Sequence, residues 1–460
     1  MGLHRIKKGL DLPITGAPEQ AVSDPPVITR VALIGDDYPG LRARLQVEEG
    51  QDVTRGQVLF EDRTNPGVRY TSPGAGRIVA INRGRRRALQ SIVVQLSEAE
   101  RGNDPDAVEH ASFEAYRAGD PEALDAAAVR ALLVESGLWT ALRVRPFAKV
   151  PSPERTPNAI FVNGMDSQPL AADPEVSIQG QSADLQLGLR LLARLCENGP
   201  TYLCVGEDSR LPDSLDAPIN VERFAGPHPA GTPGLHIHTL APAGRNHSAW
   251  YLNLQEAVAI GKLFRTGRLP VERVISLAGP PALRPRLVRT RLGASLEEHA
   301  EQELQPGDIR IISGSVLAGK KANGPVFGFL GRYHLQLSAL KEGGERKFMG
   351  WAMPGSDLFS VLPIFISRLL PARKFDFDTD THGSPRTIIP IGMYERVMPM
   401  DIIPSYLLRA LVVGDVEQAE QLGCLELDEE DISLCTFVCP GKIDYGPLLR
   451  KNLDMIEKEW

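Results

Sequence analysis

The sequence contains little cysteine, and positive charge is not in excess. Five cysteines in 460 residues are few and odd in number, which is not the pattern of a disulfide-stabilised secreted protein and predicts free thiols in a reducing compartment. The formal net charge of −7 argues against nucleic acid as a partner, because phosphate binding relies on clustered Lys and Arg. Aromatic residues make up only 6%, but 42% hydrophobic and 24% charged residues are typical of a folded globular protein.

Long apolar runs are also missing. The longest, residues 358–370, contains a proline and an arginine and is shorter than the roughly 20 residues that cross a bilayer. The first residues are basic but have no apolar core and no small-residue cleavage site, so we expect no secretory signal. The sequence therefore predicts a cytoplasmic protein that contacts a membrane only peripherally.

The pattern along the chain predicts a multidomain α/β protein of four units. Short β-type runs with Gly and Pro turns occupy residues 1–105, and helices alternate with buried strands over 120–265. Such alternation is typical of a Rossmann-like unit with a parallel sheet. Short strands over 266–345 favour a β-grasp fold of the soluble-ligand-binding type, and residues 350–460 are expected to be mainly helical.

The first unit resembles the barrel-sandwich hybrid of lipoyl and biotinyl domains. Its β-type runs 48–60 and 71–81 flank a hairpin at 61–70, and Gly50 and Gly56 should form turns with positive φ. The expected inward-facing residues are Val53, Val58, Leu59, Ile78, Val79 and Ile81. Because the hairpin has no lysine, we do not expect an acyl- or biotinyl-carrier function.

Helix signals are clearest in the second and fourth units. In the second unit the helical period predicts a helix that ends near Gly137 and another that Gly199 closes. The helices expected in the last unit lie at 357–369, 404–413 and 416–422. Ligands of parallel sheets bind at the carboxyl ends of the strands, which makes the candidate loops 137–149, 163–174 and 206–210.

Three segments together resemble one family. HRIKKGLDLPITGAPEQ near the start, LFEDRTNPGVRYTSPGAGRIVAINRGRRRALQSIVV, and LCTFVCPGKIDYGPLLRKNL near the end are similar to the A subunit of the bacterial sodium-translocating NADH:quinone oxidoreductase. The resemblance implies a peripheral subunit on the cytoplasmic side of the inner membrane, in an assembly that oxidises NADH, reduces ubiquinone and expels sodium. It also implies that other subunits, notably the integral membrane B subunit, are partners, that flavins and iron–sulfur centres lie in other subunits, and that the isolated chain is not catalytic.

The same family is similar to the C subunit of the Rnf complex and to the FMN-binding subunit of respiratory complex I. Those relatives carry a glycine-rich loop whose bare backbone approaches phosphates. This chain has SGLWTALRVRPF there, with Trp139, Leu142 and Arg143 where small residues are needed, so we expect no flavin or nicotinamide to bind. The loop 163–169 resembles the relatives' Asn-Ala-x-Glu-x-Glu-Pro segment, with Asp166 near one acidic position and Gln168 in place of the other.

The relatives also hold an iron–sulfur cluster with four cysteine thiolates. Here only Cys435, Cys439 and the more distant Cys424 lie in the corresponding region. The incomplete pattern favours buried thiols in a helical remnant over an assembled cluster. We therefore expect this chain to bind no redox cofactor of its own.

If this chain contributes to ubiquinone binding, the modified cleft is where the residues are expected. The candidates are Gly137, Trp139, Arg143, Phe147, Asn163, Gly164, Asp166 and Gln168. An aromatic wall is typical of quinone pockets, and Trp351 is a further candidate for it. Core packing of Trp139, Phe147 and Trp351 is the alternative interpretation, and a freestanding flavin- or NADH-binding oxidoreductase domain is the alternative function.

Two further residue groups are open to more than one interpretation. His236 and His238 on a predicted strand would share a face, as metal ligands require, but no cysteine or carboxylate lies nearby, and we propose no metal. The basic runs are either solvated turns or contacts for anionic lipid or an acidic partner surface. They comprise Arg83, Arg85, Arg86, Arg87, Arg284, Arg286, Arg289 and Arg291.

Overall fold

A computed structural model describes residues 2–24, 26–102, 107–212, 218–344, 354–370 and 372–460. Within these ranges the strands are β1 Leu3–Arg5, β2 Glu19–Ser23, β3 Arg30–Ile34, β4 Ala43–Leu45, β5 Asp52–Val53, β6 Val58–Asp62, β7 Arg69–Thr71, β8 Gly76–Arg83, β9 Leu89–Leu96, β10 Arg143–Arg145, β11 Ala159–Gly164, β12 Thr201–Gly206, β13 Ile219–Ala225, β14 Ala249–Asn253, β15 Glu272–Ala278, β16 Arg286–Arg291, β17 Ile309–Ser313, β18 Lys320–Lys321 and β19 Gln336–Lys341.

The α-helices in the same ranges are α1 Glu98–Arg101, α2 Ala126–Glu135, α3 Pro174–Ser177, α4 Ser182–Leu195, α5 Pro233–Leu240, α6 Leu254–Thr266, α7 Leu296–Ala300, α8 Gly324–Phe327, α9 Met393–Val397, α10 Pro404–Val413, α11 Val416–Gln421, α12 Ser433–Val438 and α13 Gly446–Lys458. Among the described residues, none of these helices has the length and apolar character needed to cross a membrane.

The barrel-sandwich unit consists of two small antiparallel sheets, β3-β9-β8-β5 and β4-β6-β7. The hairpin expected at 61–70 joins β6 to β7, and Gly50 and Gly56 have φ values of 84° and 89° as expected. Leu59 and Ile78 are buried in its core, but the inward position expected for Val79 is wrong, because its side chain is 47% exposed. Neighbouring residues of a strand point to opposite faces, so Ile78 and Val79 cannot both face inward.

The α/β unit is a six-stranded sheet in the order β1-β13-β12-β11-β14-β10. Its strands are parallel except β10, which runs antiparallel to β14 at the edge. Ile160 and Val162 of β11 join the core that contains α4 and α6, while Phe161 packs on the side of α5. Burial on both faces explains the continuous apolar run of this strand.

Glycine at position 188 allows the two helices on one face of this sheet to approach closely. A Cβ added at Gly188 would overlap the carbonyl oxygen of Ala257 in α6. The first predicted helix of the unit ends at Glu135, and Gly137 adopts the left-handed conformation with φ 78°. The predicted cap of the second helix is wrong: α4 already ends at Leu195, and Gly199 lies against the backbone of Asn158, where a Cβ would not fit.

The third sheet is mixed, with the order β18-β17-β19-β15-β16-β2. Strand β2 comes from the start of the chain and pairs in parallel with β16, and β1 pairs in the same way with β13 of the α/β sheet. The segment before β3 therefore supplies strands to two sheets outside the barrel-sandwich unit. The β-grasp assignment and the four unit boundaries remain predictions.

The C-terminal part packs its helices around a separate apolar core that contains Leu407, Leu411 and Leu453. Helices α10 and α11 confirm the expectations at 404–413 and 416–422. The helix expected at 357–369 is wrong, because this segment has only a 3-10 turn at Ile366–Leu369. Pro363 lies inside the segment and cannot supply the backbone N–H that a continuous helix requires. Trp351 lies outside the described residues.

Candidate ligand cleft at the carboxyl ends of the parallel strands

The segment SGLWTALRVRPF, which the sequence analysis compared with a glycine-rich loop, is packed into the protein core. After Gly137, a 3-10 turn at Leu138–Ala141 leads into the edge strand β10. Trp139 is fully buried, its ring lies edge-on to Trp250 at 5.4 Å, and its Nε1 donates a hydrogen bond of 2.8 Å to the carbonyl of Pro151. The bulky side chains of this loop are thus packed inside the protein.

Gly137 lies beside a small cavity where the barrel-sandwich unit, the α/β unit and the part of the chain that carries the third sheet meet. A Cβ at this position would come within 2.8 Å of Thr71 Cγ2. The cavity has a volume of about 30 Å³, and its lining includes Tyr38, Tyr70 and Arg332. This volume suits one ordered water rather than a quinone ring.

The ends of β10 meet a run of four acids before α12, which we call the acidic segment: Asp428, Glu429, Glu430 and Asp431. Arg143 Nη2 donates to Asp428 Oδ2 at 2.8 Å, and Arg145 Nη2 lies 3.0 Å from Asp431 Oδ2. Arg450 of α13 binds the segment as well, with Nη2 3.2 Å from Asp428 Oδ1 and 2.7 Å from Glu429 Oε2. The C-terminal part thus closes over the α/β unit through buried ion pairs.

Both arginines of β10 also lie over the ring of Tyr251. The guanidinium carbons of Arg143 and Arg145 are 5.3 and 5.2 Å from the ring centre, within the range of a cation–π contact. The Tyr251 hydroxyl donates to Asp428 Oδ2 at 3.5 Å. Tyr251 therefore links the sheet, the two cations and the acidic segment.

The carboxyl groups of the acidic segment have different pKa values because their neighbours differ. Burial opposes ionisation of Asp428, but Arg143 and Arg145 outweigh it and hold the pKa of this carboxyl well below its ordinary value. Burial, and then the charge of Asp431, raise the pKa of Glu430 to about 7. Burial also raises the pKa of Asp166 to about 6. Near neutral pH Asp428 is therefore ionised, whereas Glu430 and the nearby Asp166 can bind a proton.

The loop after β11 approaches the acidic segment from the other side. Gln168 Nε2 donates to Glu430 Oε1 at 2.6 Å, and Asp166 Oδ1 accepts a bond of 2.8 Å from the Gln168 backbone N–H. Asn163 Nδ2 donates to the carbonyl of Gly231 at 3.0 Å, which ties β11 to the loop before α5. Gly164 is buried beside the neighbouring strand β12.

The eight candidate residues do not surround one open cleft. Arg143, Asp166 and Gln168 converge on the acidic segment, whereas Trp139 belongs to the core. Phe147 packs edge-on against Trp460 at 4.9 Å, and its carbonyl accepts a hydrogen bond from Arg450. The remaining three are Gly137 at the small cavity and Asn163 and Gly164 at the end of β11.

The acidic segment, Arg145 and Arg450 are the residues of this region that the sequence analysis missed. A run of four acids in a chain with balanced charge is a signal that could have drawn attention to the segment. Its partners could not have been found in this way, because 283 positions separate Arg145 from Asp428 in the numbering, with helices and sheets between them.

The cysteines near the C-terminus are buried and form no disulfide. Cys439 Sγ lies 3.1 Å from the hydroxyl of Tyr394 and 3.4 Å from that of Tyr445. Burial opposes ionisation of this thiol, but the tyrosine and backbone hydrogen bonds outweigh it and lower its pKa. In the part of the chain that the structure describes, no three His, Cys, Asp or Glu side chains are grouped as a metal site requires.

His236 and His238 lie on helix α5, so the strand expected there is wrong. Residues two apart on a helix point in different directions. His236 Nε2 is hydrogen-bonded to the carbonyl of Ala230, while His238 Nδ1 lies 2.8 Å from Glu426 Oε2. The two imidazole rings therefore bind different partners and do not share a face.

The two basic runs differ in their surroundings. Arg284 and Arg286 both bind Glu303, and Arg291 binds the buried carboxylate of Glu100. Arg291 thus belongs to a buried ion pair, whereas Arg284 is itself largely exposed. Arg85 to Arg87 lie on an exposed turn between β8 and β9.

Three domain models match the chain. They describe the NqrA N-terminal barrel-sandwich hybrid domain at residues 4–97, the NqrA second alpha/beta domain at 124–269 and the NQRA C-terminal domain at 274–324. The chain is 53% identical over 455 residues to the A subunit of the Na(+)-translocating NADH-quinone reductase from Pseudomonas aeruginosa strain PAO1, covering 99% of both chains. The protein of the same name from Pasteurella multocida is 51% identical over 454 residues, again with 99% of both covered.

Among solved structures, an air-oxidized NAD+-reducing [NiFe]-hydrogenase aligns with 53% of this chain and 55% of its own, at 15% identity and a TM-score of 0.36. A likeness of this size supports no conclusion about function.

Proposed function

Because the chain belongs to the family of A subunits of the Na(+)-translocating NADH-quinone reductase, and is thus a subunit of an oxidoreductase complex of sodium transport, we propose that it binds no redox cofactor itself. The observation that carries this proposal is the burial of Trp139 and Leu142 in the loop where related nucleotide-binding proteins expose bare backbone. A flavin phosphate would have to displace this part of the core.

The second part of the proposal concerns partners and location. The chain attaches on the cytoplasmic side of the inner membrane, notably to the integral membrane B subunit, and the flavins and iron–sulfur centre lie in other subunits. Family membership supports this assignment. Oxidation of NADH and reduction of ubiquinone are then activities of the whole assembly, in which this chain has a supporting role.

The third part concerns ubiquinone. Gly137 lines the small cavity, whose walls combine the rings of Tyr38 and Tyr70 with several polar side chains, namely Asp37, Thr71, Thr140 and Arg332. Aromatic surface with a few polar groups is the composition expected of a quinone site. The cavity is smaller than the ring, so contact there requires its walls to move apart slightly around Gly137. We propose this junction as the place where the chain contributes to quinone binding.

Co-purification from native membranes tests the first two parts. We expect the chain to travel with a multi-subunit flavoprotein and, after mild stripping, to contain neither flavin nor iron. A stripped chain that is yellow and holds FMN in a one-to-one ratio would instead support a freestanding flavin-binding domain. For the third part, a photoreactive ubiquinone should label residues near Gly137 in the intact assembly, and labelling confined to other subunits would contradict it.

A further inference from the structure

Two buried tyrosines line the small cavity beside Gly137. Tyr38 directly follows the 3-10 turn Gly35–Asp37, Tyr70 lies in β7, and the two residues are 5% and 2% exposed. Within the described residues, neither hydroxyl forms a hydrogen bond with a protein group. Buried tyrosine hydroxyls usually have a hydrogen-bond partner, so these two groups point to a ligand.

The other polar side chains that line the cavity already have protein partners. Asp37 Oδ2 accepts a hydrogen bond of 2.8 Å from the Arg332 backbone N–H, and the Arg332 guanidinium group pairs with a buried carboxylate. The hydroxyls of Thr71 and Thr140 donate to backbone carbonyls at 2.9 and 2.8 Å. In the described part of the chain, the two phenol hydroxyls are therefore the lining groups that are left without a protein partner.

Both phenols are held in place by packing and act as hydrogen-bond donors. The Tyr38 ring lies edge-on to the Tyr70 ring at 4.7 Å, and Phe60 stacks on Tyr70 at 4.5 Å. Burial raises the pKa of both phenols well above the ordinary value, so each hydroxyl keeps its proton. An acceptor oxygen with two lone pairs can accept one hydrogen bond from each. The pair is therefore suited to bind one oxygen atom.

The size and lining of the cavity indicate which oxygen atoms fit. Its volume of about 30 Å³ holds one water molecule. A quinone carbonyl oxygen is similar in size to a water oxygen and can accept the same hydrogen bonds, so it can displace the water without leaving the hydroxyls unpaired. Apolar side chains, which suit a quinone ring, make up much of the remaining lining. They include Leu138, Leu269, Leu292 and Leu330.

We propose that the hydroxyls of Tyr38 and Tyr70 together bind one carbonyl oxygen of the quinone head, in place of the water molecule that the cavity otherwise holds. Only this oxygen enters the cavity, while the ring stays between the walls that move apart around Gly137. The inference rests on the proposed quinone contact at this junction and adds to it the two residues that recognise the head group.

Steady-state kinetics of the intact assembly test the role of the two hydroxyls. Y38F and Y70F remove one hydroxyl each and keep the ring, and each should raise the KM for ubiquinone-1 about 2- to 10-fold, because one hydrogen bond is lost. The KM for NADH and the kcat at saturating ubiquinone-1 should stay the same, because the lost contact contributes to quinone binding alone. The control Y406F removes an exposed hydroxyl of α10 and should leave all three constants unchanged.

Melting temperatures of the full-length variants check that each one folds. An unchanged KM for ubiquinone-1 in both Y38F and Y70F would overturn the inference and leave water as the ligand of the two hydroxyls. Equal rises in the KM values for ubiquinone-1 and NADH would overturn it as well, because they would indicate general damage to the assembly.

Photolabelling separates this failure from a failure of the proposed function. If the KM for ubiquinone-1 is unchanged but the photoreactive ubiquinone still labels residues near Gly137, the junction binds quinone through other groups and the proposed function stands. If the label appears in other subunits alone, the proposed quinone contact is itself wrong, and the role of Tyr38 and Tyr70 falls with it.

Discussion

Arg145 and Asp431 form an ion pair in which neither side chain is exposed to solvent, with Nη2 and Oδ2 3.0 Å apart. Arg145 lies on the edge strand of the α/β sheet and Asp431 at the end of the acidic segment. The pair joins two parts of the fold that are remote in sequence, and Asp431 Oδ2 also accepts a bond of 2.8 Å from the Asp428 backbone N–H.

Replacing Arg145 by Met should destabilise the protein strongly. The substitution leaves a buried carboxylate without its partner, at a cost of about 3–5 kcal/mol in the free energy of unfolding. The double variant R145M/D431N removes both charges and should recover part of the loss. Urea unfolding checks both, with R77A as the control, because Arg77 and Asp52 form an exposed pair that contributes below about 1 kcal/mol. Equal losses for R145M and R77A would contradict the account.

Replacing Glu430 by Gln should stabilise the protein above pH 7. Burial and Asp431 raise the pKa of Glu430 from 4.5 to about 7 in the folded state, so the folded chain binds a proton that the unfolded chain has lost. Stability therefore falls as pH rises from about 4.5 to 7, and E430Q removes up to about 3 kcal/mol of this fall. The measurement is the unfolding free energy at pH 5 and pH 8. A variant that is less stable than the original at pH 8 would contradict the raised pKa of Glu430 in the folded state.

Replacing Glu100 by Gln should have the opposite pH dependence. Burial opposes ionisation of Glu100, but Arg55 and Arg291 outweigh it and lower its pKa from 4.5 to about 2. The ion pairs stabilise the fold fully above about pH 4.5, and this contribution is lost as pH falls toward 2. E100Q should cost about 3 kcal/mol at neutral pH and unfold with a weaker acid dependence. Parallel acid-unfolding curves for the variant and the original would contradict the assigned role.

Gly137 and Gly180 provide a matched pair, because their φ values are 78° and 79°. A Cβ at Gly180 meets nothing within 4 Å, whereas one at Gly137 collides with Thr71. Alanine at either position costs about 1–2 kcal/mol of backbone strain. G137A should cost about 1–3 kcal/mol more than G180A, since it overpacks the junction. Equal melting temperatures for the two variants would show that the side chain of Thr71 can move aside without loss of stability, which would contradict the predicted difference.

The sequence was most informative where local periodicity is strong. The barrel-sandwich unit, the parallel α/β sheet and helices α10 and α11 follow from turn glycines, buried apolar runs and helical spacing. At 357–369 a helical spacing of apolar residues was misleading because Pro363 interrupts it and the outer residues have no core to face. Strands β1 and β2 are short, and their pairing is decided by distant segments that no local pattern reveals.

The site was predicted less well than the fold. Trp139 and Phe147 are buried, as the core-packing interpretation of these residues predicts, and the expected absence of a cofactor stays a prediction. Contacts between Arg145 and the acidic segment depend on the way the C-terminal part folds back over the α/β sheet. Such long-range ion pairs leave no spacing signal in a single sequence.

Binding of FMN and NADH to the purified full-length chain tests the central claim most directly. Equilibrium dialysis should show no saturable binding of either molecule, because Trp139 and Leu142 are buried in the loop where a phosphate would need exposed backbone. Saturable one-to-one binding of FMN, weakened by substitutions between residues 137 and 145, would contradict the account.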